Sequence, residues 1–274
     1  MASEKELKRI EKEEKKSLKL QKKEMKQAYK KEKSIFDEEE KERKRNEPLS
    51  ERELQIRALN EAPKRSVLEE IGNSVSHGVG CLFGLIALVL MLLRSDTPIK
   101  IVASLVYGIS ISLMMLMSCL YHSWKHGLRV KRIWRRFDYC SIYLLIGGTF
   151  APLQLIELGQ NEGHPILALI WFIIMWVLIV TGITFVSIFG PGRTKKLNFP
   201  LYFIIGWSGL MFLPGWIQFN LPLLFWILGG GIVYSLGMIP FVLKKKSAHF
   251  IFHLLVLVGC VLHFVGIYTL VYMV

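Results

Sequence analysis

Cysteine is scarce in this chain: 274 residues hold four, Cys81, Cys119, Cys140 and Cys260, with no CxxC spacing among them. All four fall inside or at the edge of apolar stretches, which excludes a disulfide-framed secreted domain and reads as small packing residues. The competing reading gives Cys119 or Cys140 to a metal shell, because both lie close to polar residues. Alternating apolar and polar residues are missing, which argues against a membrane β-barrel. Neither a short apolar core nor a cleavage site follows Met1-Ala2-Ser3-Glu4-Lys5, so the first apolar helix is expected to insert uncleaved.

What the chain does contain is segregated. Hydrophobic residues make up 52% of it and mean hydropathy is +0.37, with a formal net charge of +13. Residues 1–66 are nearly all polar or charged, whereas 67–274 consist of apolar runs and short polar connections. This is the pattern of a cytosolic arm followed by a polytopic membrane domain. In the arm, Leu7, Ile10, Leu18, Leu20, Met25, Ile35 and Phe36 hold no sustained heptad, and Pro48 and Pro63 interrupt it. A solvated helix or a disordered tail is expected. Its basic clusters, Lys22-Lys23 and Arg43-Lys44-Arg45, could rest on anionic lipid, but interleaved acids favour a solubilising extension. The expected partner is the bilayer, not nucleic acid.

Seven apolar segments follow, at Ser74 to Leu93, Ile101 to His122, Asp138 to Ile156, Pro165 to Val186, Phe199 to Ile217, Leu221 to Leu243 and Ala248 to Tyr272. Each is long enough to cross a hydrocarbon core of ~30 Å as a helix, which predicts an all-α, seven-span bundle. The connection after the second segment carries Lys125, Arg129, Lys131, Arg132, Arg135 and Arg136. Arg193, Lys195 and Lys196 follow the fourth, and Lys244 to Lys246 the sixth. The opposite connections carry Arg94, Asp96 and Lys100, then Glu157 and Glu162, then no charge from Gln218 to Pro222. The excess of Lys and Arg on one side places the N-terminus in the cytoplasm and the C-terminus outside.

Polar residues within the segments gather in the cytoplasmic half, which predicts one polar chamber open to that side. His249 and His253 are one helical turn apart on one face, so both rings can point at one atom. With His122 they have the chemistry of a zinc site, in which three protein ligands leave a fourth position for water. Asp138 is placed to accept or orient that water's proton; its bland reading is an ion pair with Arg135 or Arg136 at a helix start. Ser118, one turn before His122, could donate to a developing oxyanion or bond its own backbone. Glu70, Asn73, Ser74 and His77 form one-turn steps on the first segment, as a polar face or as caps. His77 ranks behind His122 as a ligand because three histidines already complete a shell. His126 and His164 fall in connections. His263 lies about 15 Å beyond His253 along its helix and suits a structural hydrogen bond.

Glu70-x-x-Asn73-x-x-x-His77, Ser118-x-x-Tyr121-His122, Phe137-Asp138-Tyr139 and His249-x-x-x-His253, in this order, resemble the haemolysin III branch of the progestin and adipoQ receptor family. Gly147-Gly148-Thr149-Phe150-Ala151-Pro152 is similar to a segment of that branch, and the resemblance covers about Leu68 to the C-terminus. It implies one zinc near the cytoplasmic face, held by His122, His249 and His253, with Asp138 holding the bound water and Ser118 in the same site. It also implies kinship in motif with alkaline ceramidases, hence hydrolysis of a lipid amide or ester, and location in a bacterial plasma membrane. Two other activities come with it: a receptor-like regulator of membrane homeostasis with structural zinc, and cytolysis. Against a pore, the polar residues cluster on one side and do not line all seven helices.

Overall fold

The computed structural model describes residues 48–243 and 245–273, with residues 19, 22–27, 29–39 and 42 of the arm. The readings of Leu7, Ile10, Leu18, Leu20, Arg43-Lys44-Arg45 and Lys244 fall outside them. The chain divides into two units, Met1–Gln55 and Ile56–Val274. In the first, residues 29–39 are helical and exposed.

Among its described residues the second unit contains seven helices long and apolar enough to cross a membrane: Val67–Leu93, Pro98–Ser123, Arg129–Asn161, Pro165–Phe189, Lys195–Phe219, Leu221–Val242 and Ala248–Tyr272. They are numbered here as spans one to seven. No strand occurs among the described residues. Short polar signals set several helix starts. Ser66 accepts from the Glu69 amide to cap span one, Thr97 caps span two ahead of Pro98, and Asn220 caps span six ahead of Pro222.

The first and third helices start earlier than the hydropathy predicts. Span three begins at Arg129, nine residues before Asp138, so all but Lys125 of the charges read as a cytosolic connection are in fact in its first turns. The physical reason is that these charges have partners inside the protein. Lys131 is fully buried, and Arg135 is 9% exposed with its Nη1 donating to the Glu61 carbonyl. A hydropathy average counts both as barriers, whereas the fold neutralises or hydrogen-bonds them. The other end departs too. After Pro152 the helix continues in π register from Leu153 to Asn161, which turns Glu157 inward instead of leaving it in a connection. Its carboxylate accepts from Asn161 (2.6 Å) and from the span six cap Asn220 (2.9 Å).

Span five is interrupted by a 3₁₀ turn, Ser208–Phe212, just ahead of Pro214. Spans two and three approach closely, because a side chain at Gly148 would collide with Ser110. The outer faces carry aliphatic residues such as Val79, Leu82, Ile170 and Val177, which in isolation would be exposed and in a bilayer meet lipid.

The residues just before span one pack on its neighbours. Asn60 donates to the Phe189 carbonyl (3.1 Å) and accepts from the Gly192 amide (3.0 Å), while Arg132 pairs with Glu61 (3.1 Å). His126 donates from Nε2 to the Ala62 carbonyl (2.9 Å). This strap crosses the ends of spans two to four at the level where the basic connections lie.

Candidate metal centre

Glu70, Asn73 and His77 repeat at three- and four-residue steps and share one face of span one. Asn73 and His77 are buried there, against Ser118, Tyr121 and His122 of span two, all equally buried. Span seven brings His249 and His253 to the same level. His122, His249 and His253 each offer one ligand atom, and the three atoms lie within 4.8 Å of one another. They are the group among the described residues that could hold a metal ion. None of the four cysteines belongs to it; Cys140 and Cys260 are buried and Cys81 and Cys119 half-buried, all as free thiols.

The ring contacts are close. The Nε2 atoms of His249 and His253 are 3.1 Å apart, and the His122 ring centroid is 4.7 Å from that of His253 and 5.2 Å from that of His249. Tetrahedral metal–nitrogen bonds of about 2.0–2.1 Å put ligand nitrogens roughly 3.3 Å apart, so the pair is already near coordination spacing. His122 is oriented from behind. Its Nδ1 lies 2.5 Å from Glu70 Oε2, and the Asn73 amide is 3.3 Å from the same nitrogen. Its Nε2 is buried with no hydrogen-bond partner among the described residues. A ring held through Nδ1 by a carboxylate, with Nε2 free, is the arrangement that metal-binding histidines adopt. On these observations the donor set fits a metal that favours imidazole nitrogen.

The other predicted residues divide. Asp138 and Ser118 line the same cavity as His77 and His253, so spans two, three and seven bring them together. His77 stacks on His253 with ring centroids 3.9 Å apart, and lies beside the ligand group without being part of it. Tyr121 is buried next to His122, with its hydroxyl 3.5 Å from Arg65. Ser74 turns away: its hydroxyl donates to the Cys119 carbonyl (3.1 Å) and meets Ser123 (2.9 Å). His263 donates to the Ile227 carbonyl (3.0 Å), a structural hydrogen bond of the kind its depth suggests.

The cavity beside the histidines has a volume of about 170 Å³ and mostly apolar walls from spans three, five, six and seven. It follows span three from Asp138 to Leu153, which is roughly 22 Å at 1.5 Å per residue. The polar residues therefore sit at one end of a long apolar space. Sequence reasoning missed two parts of this arrangement. Lys131 was counted as a loop charge, although its seven-residue separation from Asp138 places both on one helical face. The aromatic walls from spans five and six carry no chemical signature and read as ordinary membrane helix.

A family model described as "Haemolysin-III related" matches residues 65–264. The chain belongs to the haemolysin III family. "Hemolysin-3" of Bacillus cereus is 36% identical over 208 residues, covering 72% of this chain and 90% of that protein. More distant similarity joins the family to the progestin and adipoQ receptor type. The human "Monocyte to macrophage differentiation factor" is 26% identical over 76% of this chain and 87% of its own length. The Drosophila melanogaster "Adiponectin receptor protein" is 24% identical over 72% of this chain and 50% of its own length. The matched region begins at Arg65, at the end of the strap, and contains every residue of the centre.

Proposed function

We propose that this haemolysin III protein is a zinc-dependent hydrolase of an amide or ester bond in a membrane lipid, working at the cytoplasmic end of a multi-pass protein of the bacterial plasma membrane. The observation that carries this reading is the placement of a three-histidine group, Asp138 and Ser118 at one end of a long apolar cavity. Zinc bound there supplies Lewis acidity and a water nucleophile at neutral pH. His122, His249 and His253 hold the ion, and Glu70 fixes the His122 ring. Asp138 takes and returns the proton as general base and acid. Ser118 donates to the oxygen that gains negative charge when the carbonyl is attacked. The apolar walls hold the acyl chain and exclude water, so that the carbonyl is presented at the polar end.

Turnover of a panel of fluorescent acyl amides and acyl esters by purified protein, with and without a chelator, tests this. Hydrolysis abolished by chelation and restored by zinc is expected. A zinc-loaded protein that turns over no member of the panel refutes it.

A second reading makes the metal structural, in a receptor-like regulator. It is favoured by the way the ligands join span two to span seven. Under it, Asp138→Ala leaves signalling intact and His122→Ala unfolds the bundle. Cytolysis by pore formation is the weaker account, because the cavity walls are mainly apolar. Liposome leakage that survives loss of all three histidines would favour it instead.

A further inference from the structure

We propose that Lys131 is a positioning residue for the metal centre, acting through Glu70 on His122. The inference deepens the metal-binding part of the function proposed above and rests on it.

Lys131 starts from span three, is fully buried, and uses its ammonium in three ways. It donates to Glu70 Oε1 on span one (2.8 Å) and to the Trp124 carbonyl at the end of span two (2.8 Å). It also lies 5.0 Å above the centre of the Tyr121 ring. Nothing in a membrane bundle's packing requires a lysine at such a place, and a buried ammonium is costly unless its partners are good. What it accomplishes is specific to Glu70. With Oε1 held by the ammonium, the carboxylate can turn only Oε2 toward His122, where it meets Nδ1 at 2.5 Å. A carboxylate facing Nδ1 requires the imidazole proton on that nitrogen. Nε2 is then left bare and aimed into the histidine group, the state a metal ligand needs. The chain runs Lys131, Glu70, His122, and each member comes from a different span.

The neighbouring cations do not duplicate this role. Arg132 pairs with Glu61, and Arg135 donates to the Glu61 carbonyl with its guanidinium 5.4 Å from the Tyr139 ring centre. A purely architectural lysine would hold three helices together, and its loss would change metal affinity equally whether or not Glu70 is present. That difference makes the two roles separable.

The experiment is a thermodynamic cycle on the full-length protein in detergent or nanodiscs, using Lys131→Met, Glu70→Gln and the double variant. Zinc affinity is read by competition with a chromophoric chelator, cobalt spectra report the ligand geometry, and thermal unfolding is followed with and without metal. Each single variant is expected to weaken zinc binding by about 10–100-fold, the usual effect of losing an outer partner of a ligand. The double variant should bind no more weakly than Glu70→Gln alone, because Lys131 has nothing left to act on. Lys131→Arg, which keeps the charge, should recover most of the affinity.

Wild-type affinity in Lys131→Met, or losses that simply add in the double variant, would overturn the proposal. If Lys131→Met does not fold, the double variant, which removes both charges together, is compared with Glu70→Gln. A further loss of affinity there overturns it equally. Should the wild-type protein bind no metal, the underlying reading of the centre fails in the first titration, before any variant is compared.

Discussion

His249 and His253 present their Nε2 atoms to each other at 3.1 Å across one turn of span seven. At that distance the two nitrogens either form an N–H···N hydrogen bond between neutral rings or converge on a metal ion. His122 Nε2, buried and without a partner among the described residues, argues for the metal. Purified protein should therefore carry about one equivalent of zinc, and His253→Ala should lose it. Ligand-linked stabilisation is about 2.7 kcal/mol at a free metal concentration one hundred times the dissociation constant. Chelation should lower the thermal midpoint of the native protein and leave that of His253→Ala unmoved. Metal analysis beside unfolding curves checks both.

Asp138 and Ser118 line the cavity but are not in the ligand group. Substituting them should separate chemistry from metal binding. Asp138→Asn is expected to retain zinc while lowering turnover about 10²–10⁴-fold, the usual contribution of a positioned base. Ser118→Ala should give a smaller loss, mainly in kcat. Zinc content and turnover measured on the same preparations would show whether the two separate.

Gly206 lines the cavity on span five, and an added Cβ there would meet nothing within 4 Å. Gly206→Leu should be accepted, with a helix-propensity gain of up to about 1 kcal/mol. On the lipid-hydrolase reading, a side chain there competes with an acyl chain for the cavity. Stability should hold or rise while affinity for long-chain lipids falls and short-chain analogues still bind. A set of acyl lengths, compared by displacement of a fluorescent lipid, provides the readout.

Gly148 is the opposite case. It faces Ser110 without room for a side chain, at the contact between spans two and three. Gly148→Val should cost at least the 1–3 kcal/mol typical of overpacking. Because those spans bring Ser118 toward Asp138, turnover should fall more than zinc affinity. Unfolding in detergent, followed by zinc titration, distinguishes this from general misfolding.

The excess of basic residues on alternate connections predicts that the histidine end faces the cytoplasm. A cysteine introduced by Lys125→Cys should react with an impermeant maleimide only after the membrane is opened, whereas one introduced by Gly163→Cys should react in intact cells. The reverse pattern would invert the bundle.

Much of this architecture was legible in the chain because a bilayer leaves few options. Long apolar runs must be helices when no water is present to satisfy the backbone, so the seven spans follow from length and hydropathy. The histidine pair was legible for an equally local reason, since a four-residue step on a helix forces His249 and His253 onto one face. His122, Asp138 and Ser118 could be singled out because polar groups at membrane depth are expensive and few.

Tertiary structure alone decided the remainder. That span three starts at Arg129 depends on partners far away in sequence: Lys131 is tolerated by Glu70, sixty-one positions earlier, and Arg135 by the Glu61 carbonyl. Ser74 and His77 sit three residues apart, yet one bonds the backbone of span two and the other stacks on His253. The apolar cavity is walled by side chains of spans three, five, six and seven, far apart in sequence, and no single side chain announces a space. Local chemistry determined which residues could bind a metal. Which nitrogen of His122 faces inward was settled by a carboxylate on one helix and an ammonium on another, because an imidazole's proton goes to whichever side offers the acceptor.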